Sequence, residues 1–123
     1  MSEYETLPIY AASYELLLRV TGLAVNFPKS LKYVLGEKIQ NTALEMVLSI
    51  YRANTSKYKS SNLKLLINNT EKLYLFLRMA HDLKVLPREK FVDIIGMIDN
   101  VSRQARGWLK SVEKTSVSAQ VKT

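Results

Sequence analysis

Apolar residues recur every three or four positions between residues 30 and 54, and this spacing constrains the fold more than any other feature of the sequence. The repeat places an apolar stripe along one side of an α-helix: Leu31, Leu35, Ile39, Ala43, Met46, Ile50 and Ala53. Pro28 stands where a helix tolerates a missing amide proton, and Ser30 can cap the amides that follow. A long helix with one apolar side needs other helices to cover that side.

The same periodicity occurs in three further segments, so the sequence predicts four helices. They span about residues 9–26, 30–54, 62–86 and 87–114. No segment competes with them by alternating polar and apolar residues as a strand does, and every connection is short. Because short connections make successive helices antiparallel neighbours, we predict an all-α fold, an up-down-up-down antiparallel four-helix bundle.

The chain of 123 residues is one domain by length. The predicted bundle occupies residues 9–114, with an N-terminal tail at 1–8 and a disordered C-terminal tail at 115–123. The third helix is apolar on more than one side between Leu73 and Leu83. A single small core cannot cover two sides, so we expect the bundle to form a homo-oligomer.

Charge and composition narrow the class of function. The net charge is +7, and residues 27–64 carry seven bases against two acids. This surplus favours an acidic partner, nucleic acid first. The chain has no cysteine, which excludes disulfides and thiolate sites. No apolar run reaches the roughly 20 residues that span a bilayer, and the first ten residues lack the bases of a targeting signal, so we predict a cytoplasmic protein without a membrane partner.

Three groups of basic residues are candidate contacts for a nucleic acid. They are Lys29 and Lys32 at the start of the second helix, Lys57 and Lys59 beside Tyr58 in a linker, and Arg103, Arg106 and Lys110 along one edge of the fourth helix. Bases interleaved with an aromatic residue can hold a strand by charge and stacking, and a basic ridge can bind phosphates. Ordinary solvated side chains are the alternative at each of these positions.

Residues that would support catalysis or cofactor binding are scarce. His81 is the only histidine, and a lone helical histidine is more often packed or exposed than catalytic. The Glu-x-x-His spacing of metal sites in bundles is absent, as are phosphate-binding glycine loops and a nucleophile elbow. Small helical ribonucleases place a histidine four to six residues after an arginine, whereas Arg78 lies three residues before His81. We therefore expect no metal, no cofactor and no enzymatic activity.

Several short motifs resemble a known family. Phe27-Pro28-Lys29, Tyr33, Leu35, Ile39-Gln40 and Ala53-Asn54 resemble the signature of the four-helix-bundle family named for a protein encoded by intervening sequences in bacterial 23S rRNA genes. The helix ending LYLFLRMAHDLKVL and the later RGWLK are similar to one branch, the accessory variability determinant (Avd) proteins of diversity-generating retroelements. The resemblance covers about residues 10–112.

This resemblance implies properties that composition does not. Avd proteins form pentameric barrels with a positively charged pore, bind the retroelement's reverse transcriptase and its template RNA, and have no known catalytic activity. The partners implied here are therefore a reverse transcriptase and a template RNA or RNA–DNA hybrid. Arg78 matches a family position where a base supports reverse-transcriptase binding, although an ion pair with Asp82 is the simpler explanation. Arg19 lies in a first helix that carries bases in the family.

The sequence leaves two alternative functions open. The first is a structural or interaction bundle of the rRNA intervening-sequence branch, oligomeric but without a role on nucleic acid. The second is an enzyme, which would need an unrecognised site among carboxylates that lie scattered over the predicted helix surfaces.

Overall fold

A computed structural model describes the backbone of residues 3–122 and the side chains of residues 5–116. Within that range all regular structure is helical, and a 3₁₀-helix, Glu3–Thr6, precedes four long helices. The long helices are α1, Pro8–Ala24; α2, formed by Lys29–Leu31, the π-helical segment Lys32–Gly36 and Glu37–Thr55; α3, Lys59–Asp82; and α4, Arg88–Lys122. The predicted all-α fold is confirmed.

The four helices form a closed antiparallel bundle. Each packs against the next along the chain, and α1 also packs against α4, which closes the ring. The core consists of the apolar stripes that the periodicity predicts. On α3, for example, the residues that recur every three or four positions are all buried: Leu63, Leu66, Thr70, Leu73, Leu77 and Ala80. Burying one stripe from each helix is what holds the four together.

Helix α2 begins immediately after Pro28. The carbonyl oxygen of Pro28 accepts hydrogen bonds of 2.9 Å from the amides of Leu31 and Lys32. Pro28 itself has an extended backbone, with ψ of 147°, so it is the residue that precedes the first turn. The predicted capping role of Ser30 is therefore wrong, because Ser30 already lies inside that turn and makes no capping hydrogen bond.

Gly36 marks a close approach between α2 and the end of α1. It is buried at the end of the π-helical segment. A methyl group at this position would lie 3.6 Å from Cβ of Ala24 and 3.7 Å from Cδ2 of Phe27. These are ordinary van der Waals distances, so alanine would fit while a larger side chain would push the two helices apart.

The turn between α3 and α4 ends α3 earlier than predicted. Lys84 adopts a left-handed backbone with φ of 65°. The amide of Val85 donates to the carbonyl of Ala80 at 3.0 Å, and that of Lys84 donates to the carbonyl of His81 at 2.9 Å. This pair of hydrogen bonds is a Schellman motif, which reverses the chain after Asp82, whereas the apolar pattern alone continues to Leu86.

Both predicted tails differ from the observed structure. The N-terminal tail contains the 3₁₀-helix, and α4 continues to Lys122, although a disordered tail is predicted from residue 115. No glycine or proline follows Gly107, so the sequence lacks the usual residues that stop a helix. Residues 1, 2 and 123 lie outside the described residues. Across the described part of the chain, no helix is both long and apolar enough to cross a membrane.

Candidate nucleic-acid and partner interface

The basic residues predicted as contacts do not gather at one site. Lys29 and Lys32 lie at the start of α2, whereas Lys57 and Lys59 follow its end. At 1.5 Å per residue, α2 separates these two groups by about 40 Å. The fourth-helix ridge, defined here as Arg103, Arg106 and Lys110, lies along α4, so the candidate contacts extend over the length of the bundle.

Each arginine predicted as a contact has a carboxylate partner. The pairs are Arg19–Asp93 at 2.5 Å, Arg103–Asp99 at 3.2 Å, Arg106–Glu71 at 3.3 Å and Arg78–Asp82 at 3.6 Å. Two of them join neighbouring helices, Arg19 to α4 and Arg106 to α3. All four arginines remain exposed at the surface. Exposed pairs contribute only about 0.2–1 kcal/mol, so an anionic partner could exchange with these carboxylates.

Arg78 interacts with two neighbours on its own helix, Tyr74 and Asp82. A side-chain hydrogen bond with Tyr74 and the negative charge of Asp82 raise the pKa of its guanidinium above the ordinary value. The ring of Tyr74 in turn contacts that of Phe91, with ring centres 6.4 Å apart. The ion pair between Arg78 and Asp82, the simpler explanation for a base at this position, is present in the structure. It leaves the guanidinium exposed.

Lys59 has a structural partner that its sequence position does not reveal. Its Nζ donates to the carbonyl oxygens of Ala53 at 2.8 Å and of Asn54 at 3.1 Å, at the end of α2. A cation at this end satisfies carbonyls that lack helical partners and complements the helix dipole. Lys59 therefore ties the start of α3 to the end of α2, and its contact with nucleic acid remains a prediction.

Besides Lys59, the four other predicted lysines also form no ion pair within the described part of the chain. They are Lys29, Lys32, Lys57 and Lys110, all exposed or half-buried. Lys57 instead places its Nζ 5.3 Å from the ring centre of Tyr58. These lysines need no carboxylate to be displaced before they meet a phosphate.

The lone histidine is packed between helices. His81 Nδ1 lies 3.1 Å from the carbonyl oxygen of Leu86, and because a carbonyl only accepts, Nδ1 is the protonated nitrogen. Its ring stacks on Phe91 at 4.8 Å between centres. Among the described residues, no three His, Asp or Glu side chains cluster closely enough to hold a metal ion.

Exposed apolar side chains form stripes on three helices. On α3 and at its C-cap they are Leu65, Leu75, Met79 and Leu83, at 40–55% exposure, and they make up the second apolar side predicted for the third helix. Further stripes, not foreseen from the sequence, lie on α1 and its C-cap (Tyr14, Leu18, Val25) and on α2 (Leu44, Leu48, Tyr51). The residues of these two stripes recur every three, four or seven positions in the sequence. This spacing indicates a second apolar side of a helix, so it was the signal from which the stripes could have been predicted.

Comparison with known proteins places this fold in a family. No curated protein matches the chain. Its fold is similar to the crystal structure of a protein of unknown function from the S23 ribosomal protein family of Bacteroides thetaiotaomicron, with a TM-score of 0.77 and 14% identity over 83% of this chain and 95% of that one. Residues 9–112 match the family described as bAvd-like. That match spans the whole core of the bundle and agrees with the resemblance found in the sequence motifs. The chain belongs to the bAvd-like family.

Proposed function

We propose that this chain is a non-catalytic, cytoplasmic accessory protein of a diversity-generating retroelement. It binds the reverse transcriptase and its template RNA, or an RNA–DNA hybrid, through its basic surface and so supports mutagenic cDNA synthesis. The observation that carries the proposal is membership of the bAvd-like family over residues 9–112. The net charge of +7 and the exposed basic residues support it.

The proposed mechanism of RNA binding is electrostatic. Lysines and arginines release the counterions condensed on RNA phosphates, so affinity falls steeply as salt rises. The fourth-helix ridge suits this role because its three bases are spaced about one helical turn apart and all are exposed. An exposed α-helix surface of this kind contacts the RNA backbone and recognises the shape of the RNA. Selection of a particular RNA sequence therefore depends on the enzyme and on the fold of the RNA.

Self-association forms part of the proposal. The stripes on α1, α2 and α3 leave many large apolar side chains exposed in a small bundle. Large exposed apolar side chains in this number are typical of an interface between proteins. We propose a homo-oligomer, and the family resemblance favours a pentameric barrel.

Charge reversal at Arg78 tests the contact with reverse transcriptase. In Arg78→Glu the cation is lost and an anion faces the enzyme, so we expect the affinity for reverse transcriptase to fall about ten-fold or more, measured by biolayer interferometry with the enzyme immobilised. Asp82→Asn is the matched control, because it removes only the carboxylate partner and leaves Arg78 charged.

Light scattering must first show that both variants keep the wild-type mass. Wild-type affinity in an assembled Arg78→Glu oligomer would contradict the role of Arg78. Failure of the wild-type protein to bind either reverse transcriptase or template RNA at low salt would contradict the proposed function as a whole.

One observation favours the structural alternative, a bundle of the intervening-sequence branch without nucleic acid. The four candidate arginines are already paired with carboxylates of the same chain. Genomic context separates the two functions. A neighbouring reverse-transcriptase gene with a pair of near-duplicate repeats supports the retroelement role, whereas a gene inside an rRNA insertion supports the alternative.

A further inference from the structure

The loop between α2 and α3 holds Tyr58 in a fixed, projecting position. The backbone amide of Tyr58 donates to Oγ of Ser56 at 3.0 Å. Its carbonyl oxygen accepts hydrogen bonds from Nδ2 of Asn62 at 2.8 Å and from Oγ of Ser61 at 3.2 Å. The bonds from Lys59 to the end of α2 secure the loop from the other side. Tyr58 as a whole residue is 63% exposed, so a well-anchored backbone presents an aromatic side chain to solvent.

A basic groove adjoins this ring. It runs between the start of α3 and residues 112–116 of α4, and its lining includes Lys57, Lys59 and Lys64 on one side and Glu113 on the other. The pair between Lys64 and Glu113 spans 3.9 Å, which is long for an ion pair. Three lysines against one glutamate make the groove a favourable place for a phosphate.

Lys57 places a positive charge over one face of the Tyr58 ring. Its Nζ stands 5.3 Å from the centre of the Tyr58 ring, within the range of a cation–π contact. Lysines that alternate with an exposed aromatic ring are the combination that grips single strands, because the cations hold phosphates while the ring stacks on a base.

We propose that Tyr58 and this basic groove form a binding site for single-stranded RNA, with an unpaired base stacked on Tyr58 and the adjoining phosphates held by Lys57 and Lys64. The inference rests on the proposed function and adds to it a preference for unpaired segments of the RNA. Bases inside a duplex are already stacked and paired, so a single projecting ring reaches them only where the strand is open.

The test compares the affinities of single-stranded and duplex RNA. The full chain is titrated into a fluorescein-labelled oligo-uridine of about 12 nucleotides, and separately into an RNA duplex of similar length, with fluorescence anisotropy as the readout. Tyr58→Ala is expected to weaken single-strand binding about 5- to 100-fold, as loss of one stacked base does, and to leave duplex binding unchanged. Tyr58→Phe keeps the ring and should keep the affinity.

Tyr33 provides the matched control. It is 62% exposed, follows a lysine, and lies in α2 near the opposite end of the bundle. Tyr33→Ala should leave single-strand binding unchanged. An unchanged affinity in Tyr58→Ala, or equal losses on single-stranded and duplex RNA, would overturn the site. In either case RNA binding by the wild-type chain would leave the proposed function standing, whereas no RNA binding at any salt concentration would refute both.

Glu113 offers a second, independent variant that acts in the opposite direction. Glu113→Gln removes the carboxylate found among the described lining residues of the groove and frees Lys64. If a phosphate binds there, single-strand affinity should rise about two- to five-fold at low salt, and the gain should shrink as salt increases. An unchanged or lower affinity in this variant would contradict the placement of the phosphate.

Discussion

At the scale of single residues, the turn after α3 depends on a lysine in a backbone conformation that glycine adopts far more easily. Lys84 has φ of 65° and is the residue on which the chain reverses. In the left-handed region a Cβ atom comes close to the following carbonyl oxygen. A residue other than glycine therefore stores strain here, and the two Schellman hydrogen bonds offset it.

Lys84→Gly should accordingly stabilise the protein. Removing the side chain relieves the left-handed strain, so we expect a gain of about 1 kcal/mol in the free energy of unfolding, measured by urea denaturation. Lys84→Ala is the control, because it removes the charge but keeps Cβ, and it should leave stability nearly unchanged. A Lys84→Gly variant less stable than the wild type would contradict this account of the turn.

The ion-pair partners of individual arginines could be predicted from the sequence only where both residues lie on the same helix. Clusters of positive charge and the family resemblance identified the candidate bases, and helix spacing foresaw the pair of Arg78 with Asp82, which lie four residues apart. The partner of Arg19 lies 74 residues away and that of Arg106 lies 35 residues away. Such pairs depend on which helix edges meet in the bundle, and a pattern within one helix does not contain that information.

At the scale of elements, α3 has two apolar sides, and only one of them is used within the bundle. The stripe with Leu66 and Leu73 is buried, while that with Leu75 and Met79 remains exposed. The sequence predicted both stripes because each follows the helical period. The sequence pattern did not predict the end of α3, because the left-handed backbone of one residue does not change the apolar periodicity. It did not predict the length of α4, because apolar periodicity does not register the absence of residues that stop a helix.

Met79→Glu should reduce the proposed oligomer. A carboxylate buried between subunits without a partner is costly, so we expect the mass from light scattering to fall while the helical circular dichroism spectrum is kept. Val92→Glu is the matched control, because Val92 is similarly exposed but lies on α4, outside the three stripes. Equal masses for Met79→Glu and wild type would show that this side of α3 is not the interface.

At the scale of the whole molecule, positive charge is distributed along the bundle, and the basic groove beside Tyr58 is one part of that distribution. Bases lie at both ends of α2 and along the fourth-helix ridge, roughly 40 Å from end to end. A surface of that extent suits an elongated polyanion better than a small ligand. The sequence alone indicated the surplus of +7, but only the packing of the helices shows how it is spread.

The most direct test of the accessory function is light scattering of the purified protein, alone and with reverse transcriptase and template RNA, across a salt series. The account predicts a homo-oligomer that shifts to a larger complex at low salt and releases it as salt rises, because phosphate contacts weaken with ionic strength. An oligomer whose mass is indifferent to both the enzyme and the RNA at every salt concentration would contradict the account and favour a structural role.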